Sequence, residues 1–161
     1  MVIGGIVVAA LGFVLIGAFI TLGQGLGTFM EGSTLETLTV GQCFNGGRPE
    51  PSTEGTPLVG AVDMVDCDMP HESELVGTFV YPAAPAAEYP GTDIVGSYAE
   101  AECYLHFERY VGVPFARSRY ELTYVTPLEF NWLMSDRSVQ CVVHPPAGQE
   151  DMTGSVRGSS R

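Results

Sequence analysis

The chain has no lysine and only seven basic residues, all arginine, against nineteen acids, for a formal net charge of −12 over 161 residues. A surface so poor in positive charge excludes a nucleic-acid binder, because phosphates must be neutralised by Lys and Arg. It suits a basic partner, a divalent cation or simple solubility. Charge is missing altogether from the first 28 residues. The Gly-x-Ser-x-Gly elbow of an esterase is absent, as is a phosphate-cradling glycine loop. The only histidines are His71, His106 and His144. His71 with Glu72 or Glu74, and His106 with Glu102 one helical turn earlier, are the only base–acid pairs on offer, and neither has a nucleophile motif beside it. Nineteen acids in one module make adjacent carboxylates unavoidable. The reading is therefore of a non-catalytic protein with no cofactor and no metal.

What is present begins with "MVIGGIVVAALGFVLIGAFITLG", apolar or glycine throughout. A bilayer core needs roughly 20 such residues in a helix, so 1–28 is expected to be a transmembrane helix. A signal peptide would show a basic n-region and a small-x-small cleavage site, and neither is seen. The missing basic start predicts that residues precede Met1 in the natural protein. Gly5, Ala9 and Gly12 share one helical face, and Gly23 with Gly27 adds a second small-xxx-small pair. Small residues let helix backbones approach closely in lipid, so this stripe is expected to dock on a membrane-protein partner. Residues 29–37 read as a tether, 38–158 as the exterior domain and 159–161 as a frayed tail.

All four cysteines, Cys43, Cys67, Cys103 and Cys141, lie beyond the apolar run. An even count in a small module suits an oxidising exterior, which places the domain outside the cytoplasmic membrane. Cys67 and His71 with Cys141 and His144 would make an acceptable zinc set, but they would strand Cys43 and Cys103. Pairing Cys43 with Cys67 and Cys103 with Cys141 uses all four, one bridge per half, among the three pairings open to four cysteines.

The halves share landmarks. "GQCF" and "AECY" each put an aromatic after a cysteine, and "MVDC" and "SVQC" each put Val two before one. Histidine and proline stand close to both second cysteines, so Pro70, His71 and His144 read as structural-motif residues, with His71 after Pro70 a turn residue bonding to backbone. Half-repeats of 38–82 and 98–156, a divergent internal duplication, are expected. Within them "VGAVDMVDC" alternates as a strand with Val62, Met64 or Val65 inward, and "ELVGTFVY" is β-rich. Ile94, Tyr98, Ala101 and Leu105 recur at helical spacing, with Cys103, Phe107 and Tyr110 extending the face and Gly112 as terminator. "RYELTYV" and "SVQCVVH" are strands. Between them Thr126 is expected to cap a short helix, with Pro127 in its first turn, Glu129 closing a capping box and Trp132 in the core. The sum is an α+β fold.

In this order, "VGQCF", "VDCDMPHESELVGTF", "YPG", "AECYLHFERYVG", "LTYVTPLEFNWLMSDRSVQCVV" and "TGSVRG" resemble the septum-formation domain of actinobacterial membrane proteins, over roughly residues 38 to 158. The resemblance implies an envelope domain carried by a membrane helix, in a cell-division setting, with no catalytic residues to transfer. The chain departs from many relatives in lacking a charged cytoplasmic segment before the helix. The expected function is recognition or scaffolding in the envelope. An accessory single-span subunit of a larger membrane assembly, such as a respiratory complex, is the alternative, followed by an envelope hydrolase.

Overall fold

The computed structural model describes residues 35–46 and 61–161. The expected membrane helix, with Gly5, Ala9, Gly12, Gly23 and Gly27, lies outside them. Among the described residues no helix is long and apolar enough to cross a membrane.

Five strands form one antiparallel sheet: β1 Cys43–Gly46, β2 Val62–Val65, β3 Ser73–Val80, β4 Glu121–Val125 and β5 Ser138–His144. Their order is β2-β1-β3-β5-β4, so β1, β3 and β5 are interior, the long ones being β3 and β5. Both are buried along most of their length, as strands covered on two faces must be. The long helix α1, Thr92–Val111, lies across β3, β4 and β5. It stops at Gly112, whose φ of 93° is left-handed and whose N–H donates to the Glu108 carbonyl, a helix end that glycine adopts without steric cost. A second, five-residue helix α2, Glu129–Leu133, bridges β4 and β5. The architecture is α+β, as expected.

Alternation along the strands divides the apolar residues between two faces. Val139, Cys141 and Val143 of β5 join Ala99, Cys103, Phe107 and Val111 of α1 in one cluster. On the opposite face Val142 meets Leu75, Phe44, Val62, Leu35 and Leu38. Leu35 and Leu38 are 4% and 7% exposed, so the folded domain takes in the end of the stretch read as a tether. On β2, Val62 alone is buried, while Met64 is exposed.

The helix face matches the expected one at Cys103, Phe107 and Tyr110 and differs from it at Ile94, Ala101 and Leu105. Val95, Ala99, Cys103, Phe107, Tyr110 and Val111 are buried, while Ile94 and Leu105 are more than half exposed and Ala101 is exposed. The Cys103–Cys141 bridge holds Cys103 toward the sheet, and residues four apart from it follow on the same face. A register irregularity between Leu75 and Gly77 of β3 sets the other side of the contact. It turns Val76 and Gly77 both toward α1, where a Cβ on Gly77 would stand 2.7 Å from the His106 ring. Glycine is required there for helix and sheet to meet.

The disulfides are Cys43–Cys67 and Cys103–Cys141, the pairing expected. In the chain-entropy view, closing loops of 24 and 38 residues contributes roughly 3.5 and 4 kcal/mol respectively. The half-repeat landmarks, however, fall on different elements. Cys43 opens a strand and Cys103 lies inside a helix, while Cys67 follows a strand and Cys141 sits within one. Matching letters here do not mark a structural repeat.

Two further expectations are corrected. The chain stays extended through Leu128, so α2 begins at Glu129. Neither the half-buried Thr126 nor the buried Pro127 starts it. Asn131 Oδ1 instead accepts the Leu128 N–H at 3.2 Å. The tail is held down rather than frayed: the Gly158 and Ser160 N–H groups donate to the Tyr110 and Val111 carbonyls, and Ser118 donates to the Arg161 carbonyl.

Candidate interaction surface and buried polar centre

The helix α2 has only one turn and a half, so its side chains divide sharply between inside and out. Trp132 points inward, 3% exposed. Its Nε1 donates to the Ala87 carbonyl at 2.7 Å, and Tyr81 and Tyr89 meet its ring edge-on at 5.5 and 5.4 Å between centroids. Arg137 lies over the indole face, 3.6 Å from guanidinium carbon to ring centre, and donates to the Trp132 carbonyl at 2.6 Å. Desolvated cation–π pairs of this kind contribute about 2 kcal/mol. The core role expected for Trp132 is what the structure has.

The other side of α2 and its C-cap carries Phe130, Leu133 and Met134, 71%, 77% and 71% exposed. They stand at i, i+3 and i+4, one helical face. Beside them runs a groove of about 520 Å³ lined by Glu88, Tyr89, Glu129, Trp132, Ser135 and Arg137 among others. Three large apolar side chains together on a surface mark an interaction site more often than scattered ones do. Sequence reasoning overlooked this patch. Its signal was legible: with Trp132 assigned to the core, the i, i+3, i+4 set on the far side of so short a helix has nothing left to pack against.

A second concentration of polar groups is buried where β1 and β3 meet the end of α1. Cys43 and Glu74 are directly paired residues of the two strands. The Glu74 side chain is fully buried. Its Oε1 accepts from Tyr110 Oη at 2.5 Å and Ser155 Oγ at 2.6 Å, and its Oε2 from the Val156 N–H at 2.7 Å. Three donors replace water around the carboxylate, and they tie α1 and the C-terminal segment to β3. Burial, then the bond to Glu74, pushes the Tyr110 hydroxyl up to about 12. Arg157 sits over the Tyr110 ring, 4.3 Å from its centre.

His71 is fully buried next to this group. Its backbone pairs with Met152 in both directions and its Nδ1 bonds the Met69 carbonyl at 2.8 Å, the backbone-bonded role expected for the residue after the exposed Pro70. Nε2 has no partner. A ring nitrogen of His71, Cys43 Sγ and a Glu74 oxygen all lie within 4.8 Å of one another.

The zinc set considered from spacing is not assembled. Cys141 is bridged to Cys103. His144 turns to the β4 side, with Nε2 2.8 Å from Thr123 Oγ1 and Nδ1 3.1 Å from the Pro145 carbonyl. Among the described residues the only cluster with metal-ligand spacing is Cys43, His71 and Glu74. His106 stacks on Phe79 with ring centres 5.5 Å apart, and desolvation followed by Arg109 lowers its pKa against a smaller opposing effect of Glu102.

These features define a small disulfide-bonded α+β domain with a buried polar centre and an exposed apolar patch on α2. The chain belongs to the septum-formation family, whose model matches residues 41–161. Membership points to a septum-related function in the cell envelope. No curated protein and no solved structure matches it.

Proposed function

We propose that the chain is a non-catalytic recognition module of the actinobacterial envelope, held to the membrane by residues 1–28 and docking through α2 on a septum-associated protein. The observation that carries this reading is the exposed set Phe130, Leu133 and Met134 on a helix whose opposite side is anchored by Trp132 and Arg137. An interface gains most from apolar residues held rigidly, since little side-chain or backbone ordering is then lost on binding. The acidic balance of the module favours a partner with a basic rim around an apolar centre. The Gly5–Ala9–Gly12 stripe supplies a second, intramembrane contact in this reading.

The test is a tagged full-length chain compared with its Phe130→Ser/Leu133→Ser/Met134→Ser variant. All three side chains are largely exposed, so the variant should keep both disulfides. The wild type is expected at the septum with a co-purifying envelope protein, and the variant is expected to lose both. Unchanged position and partners would sink the α2 reading. A stoichiometric membrane complex without septal enrichment would favour the accessory-subunit role instead.

A further inference from the structure

We propose that reduction of Cys43–Cys67 converts the buried polar centre into a binding site for a zinc-class divalent cation, with Cys43, His71 and Glu74 as ligands. Three observations converge. Cys43 Sγ, a His71 ring nitrogen and a Glu74 oxygen already lie within 4.8 Å of one another, all in buried residues. His71 Nδ1 is engaged by the Met69 carbonyl, which leaves Nε2 buried and without a partner; an orphaned polar atom of this kind calls for an explanation. Glu74 is buried among neutral donors, with no Arg or His nitrogen of the described residues within ion-pair distance. Its Oε2 accepts only the Val156 N–H, so a lone pair is left for a cation.

The ligand chemistry selects the ion. One thiolate, one imidazole and one carboxylate match the borderline-soft preference of zinc and exclude magnesium and calcium, which take oxygen ligands. With Cys43 bridged to Cys67 the set lacks its thiolate, and reduction supplies it. Cys67 is half-buried while Cys43 is 1% exposed, so a dithiol reductant reaches Cys67 Sγ first. Its thiolate forms a mixed disulfide there, the S–S bond breaks, and Cys43 leaves as a thiolate. The reductant's second thiol then attacks the mixed disulfide and releases Cys67. Both electrons come from the dithiol, which becomes a cyclic disulfide. Its two protons pass to the two cysteines, and the Cys43 proton goes to solvent when the cation binds. Cys67, set free beside Cys43, or a water completes a four-coordinate site.

The experiment uses the full chain, reduced with a dithiol and desalted without oxygen under conditions that retain Cys103–Cys141, and titrated with cobalt(II) as a spectroscopic substitute for zinc. One equivalent should bind with tetrahedral visible bands and a thiolate-to-metal charge-transfer band, and zinc should displace it. The oxidised chain should show neither band. His71→Asn should weaken binding at least about 10-fold, a loss of the order seen when even a supporting partner of a metal ligand is removed. If reduction loosens the fold, zinc should restore the near-ultraviolet circular dichroism of the oxidised chain. The proposal is overturned if the reduced chain binds no cobalt, if His71→Asn binds as tightly as wild type, if the oxidised chain binds equally well, or if a loosened fold is not restored.

Discussion

Removing the Glu74 carboxylate tests how the buried centre holds the domain together. In Glu74→Ala, Tyr110 Oη, Ser155 Oγ and the Val156 N–H lose their common acceptor; Tyr110 and Val156 are buried, while Ser155 is exposed and can turn to water. Hydrogen bonds to a charged group contribute about 1.5 to 3 kcal/mol each. Three of them would sum to roughly 4.5 to 9 kcal/mol on that scale, but relief of the buried charge offsets part of this. Leaving a buried donor without a partner costs about 1 to 3 kcal/mol, so the two buried ones, Tyr110 and Val156, give an expected loss of about 2 to 6 kcal/mol. Glu74→Gln separates charge from shape. Its carbonyl can face the Val156 N–H, which cannot reverse, while the Tyr110 and Ser155 hydroxyls rotate to accept from the amide. The expected cost is only about 1 to 2 kcal/mol, the scale of neutral hydrogen bonds. Urea unfolding of the oxidised chain, followed by fluorescence of the only tryptophan, Trp132, measures both. A loss below ~1 kcal/mol for Glu74→Ala, or equal losses for the two variants, would refute the view that three donors depend on one carboxylate.

Other perturbations probe other parts of the domain. Trp132→Ala should cost about 3 to 5 kcal/mol, since it empties a site filled by a large aromatic and frees Arg137 from its face; a loss under ~1 kcal/mol in chemical unfolding would place the ring outside the core. Gly77→Ala should destabilise by about 1 to 3 kcal/mol through overpacking against His106, and in a double-mutant cycle His106→Ala should recover only the part due to the ring, since the His106 Cβ, which alanine keeps, also stands 2.7 Å from the added methyl. The Tyr110 hydroxyl, ordinarily near 10 and raised to about 12, makes stability fall with alkali. The unfolded chain loses this proton first, so the contribution is complete below pH 10 and drains away as pH rises toward 12. Tyr110→Phe should flatten that part of the pH profile. His106 has the opposite sense: its lowered pKa means stability complete above 6.5 and declining as acid protonates the unfolded chain first.

Much of this domain is local chemistry and was legible in the chain itself. Alternation around Val62 and β-rich runs around Leu75, Tyr124 and Val142 gave the strands, and Gly112 gave the end of α1, because strand propensity and left-handed turns depend on residues a few positions apart. Cysteine count and one pair per half gave the two bridges. The side of α1 that faces the sheet was decided only by assembly. Ile94 and Leu105 fit a helical stripe as well as Val95 and Ala99 do, and the bridge to Cys141 with the β3 irregularity chose between them. The same limit hid the centre of the site. Glu74 is one of nineteen acids, and nothing within a few residues of it separates a solvated carboxylate from a buried one. It is buried because Tyr110, 36 residues on, and Val156, 82 residues on, arrive with donors that replace its water, and only the tertiary structure brings those three points of the chain together.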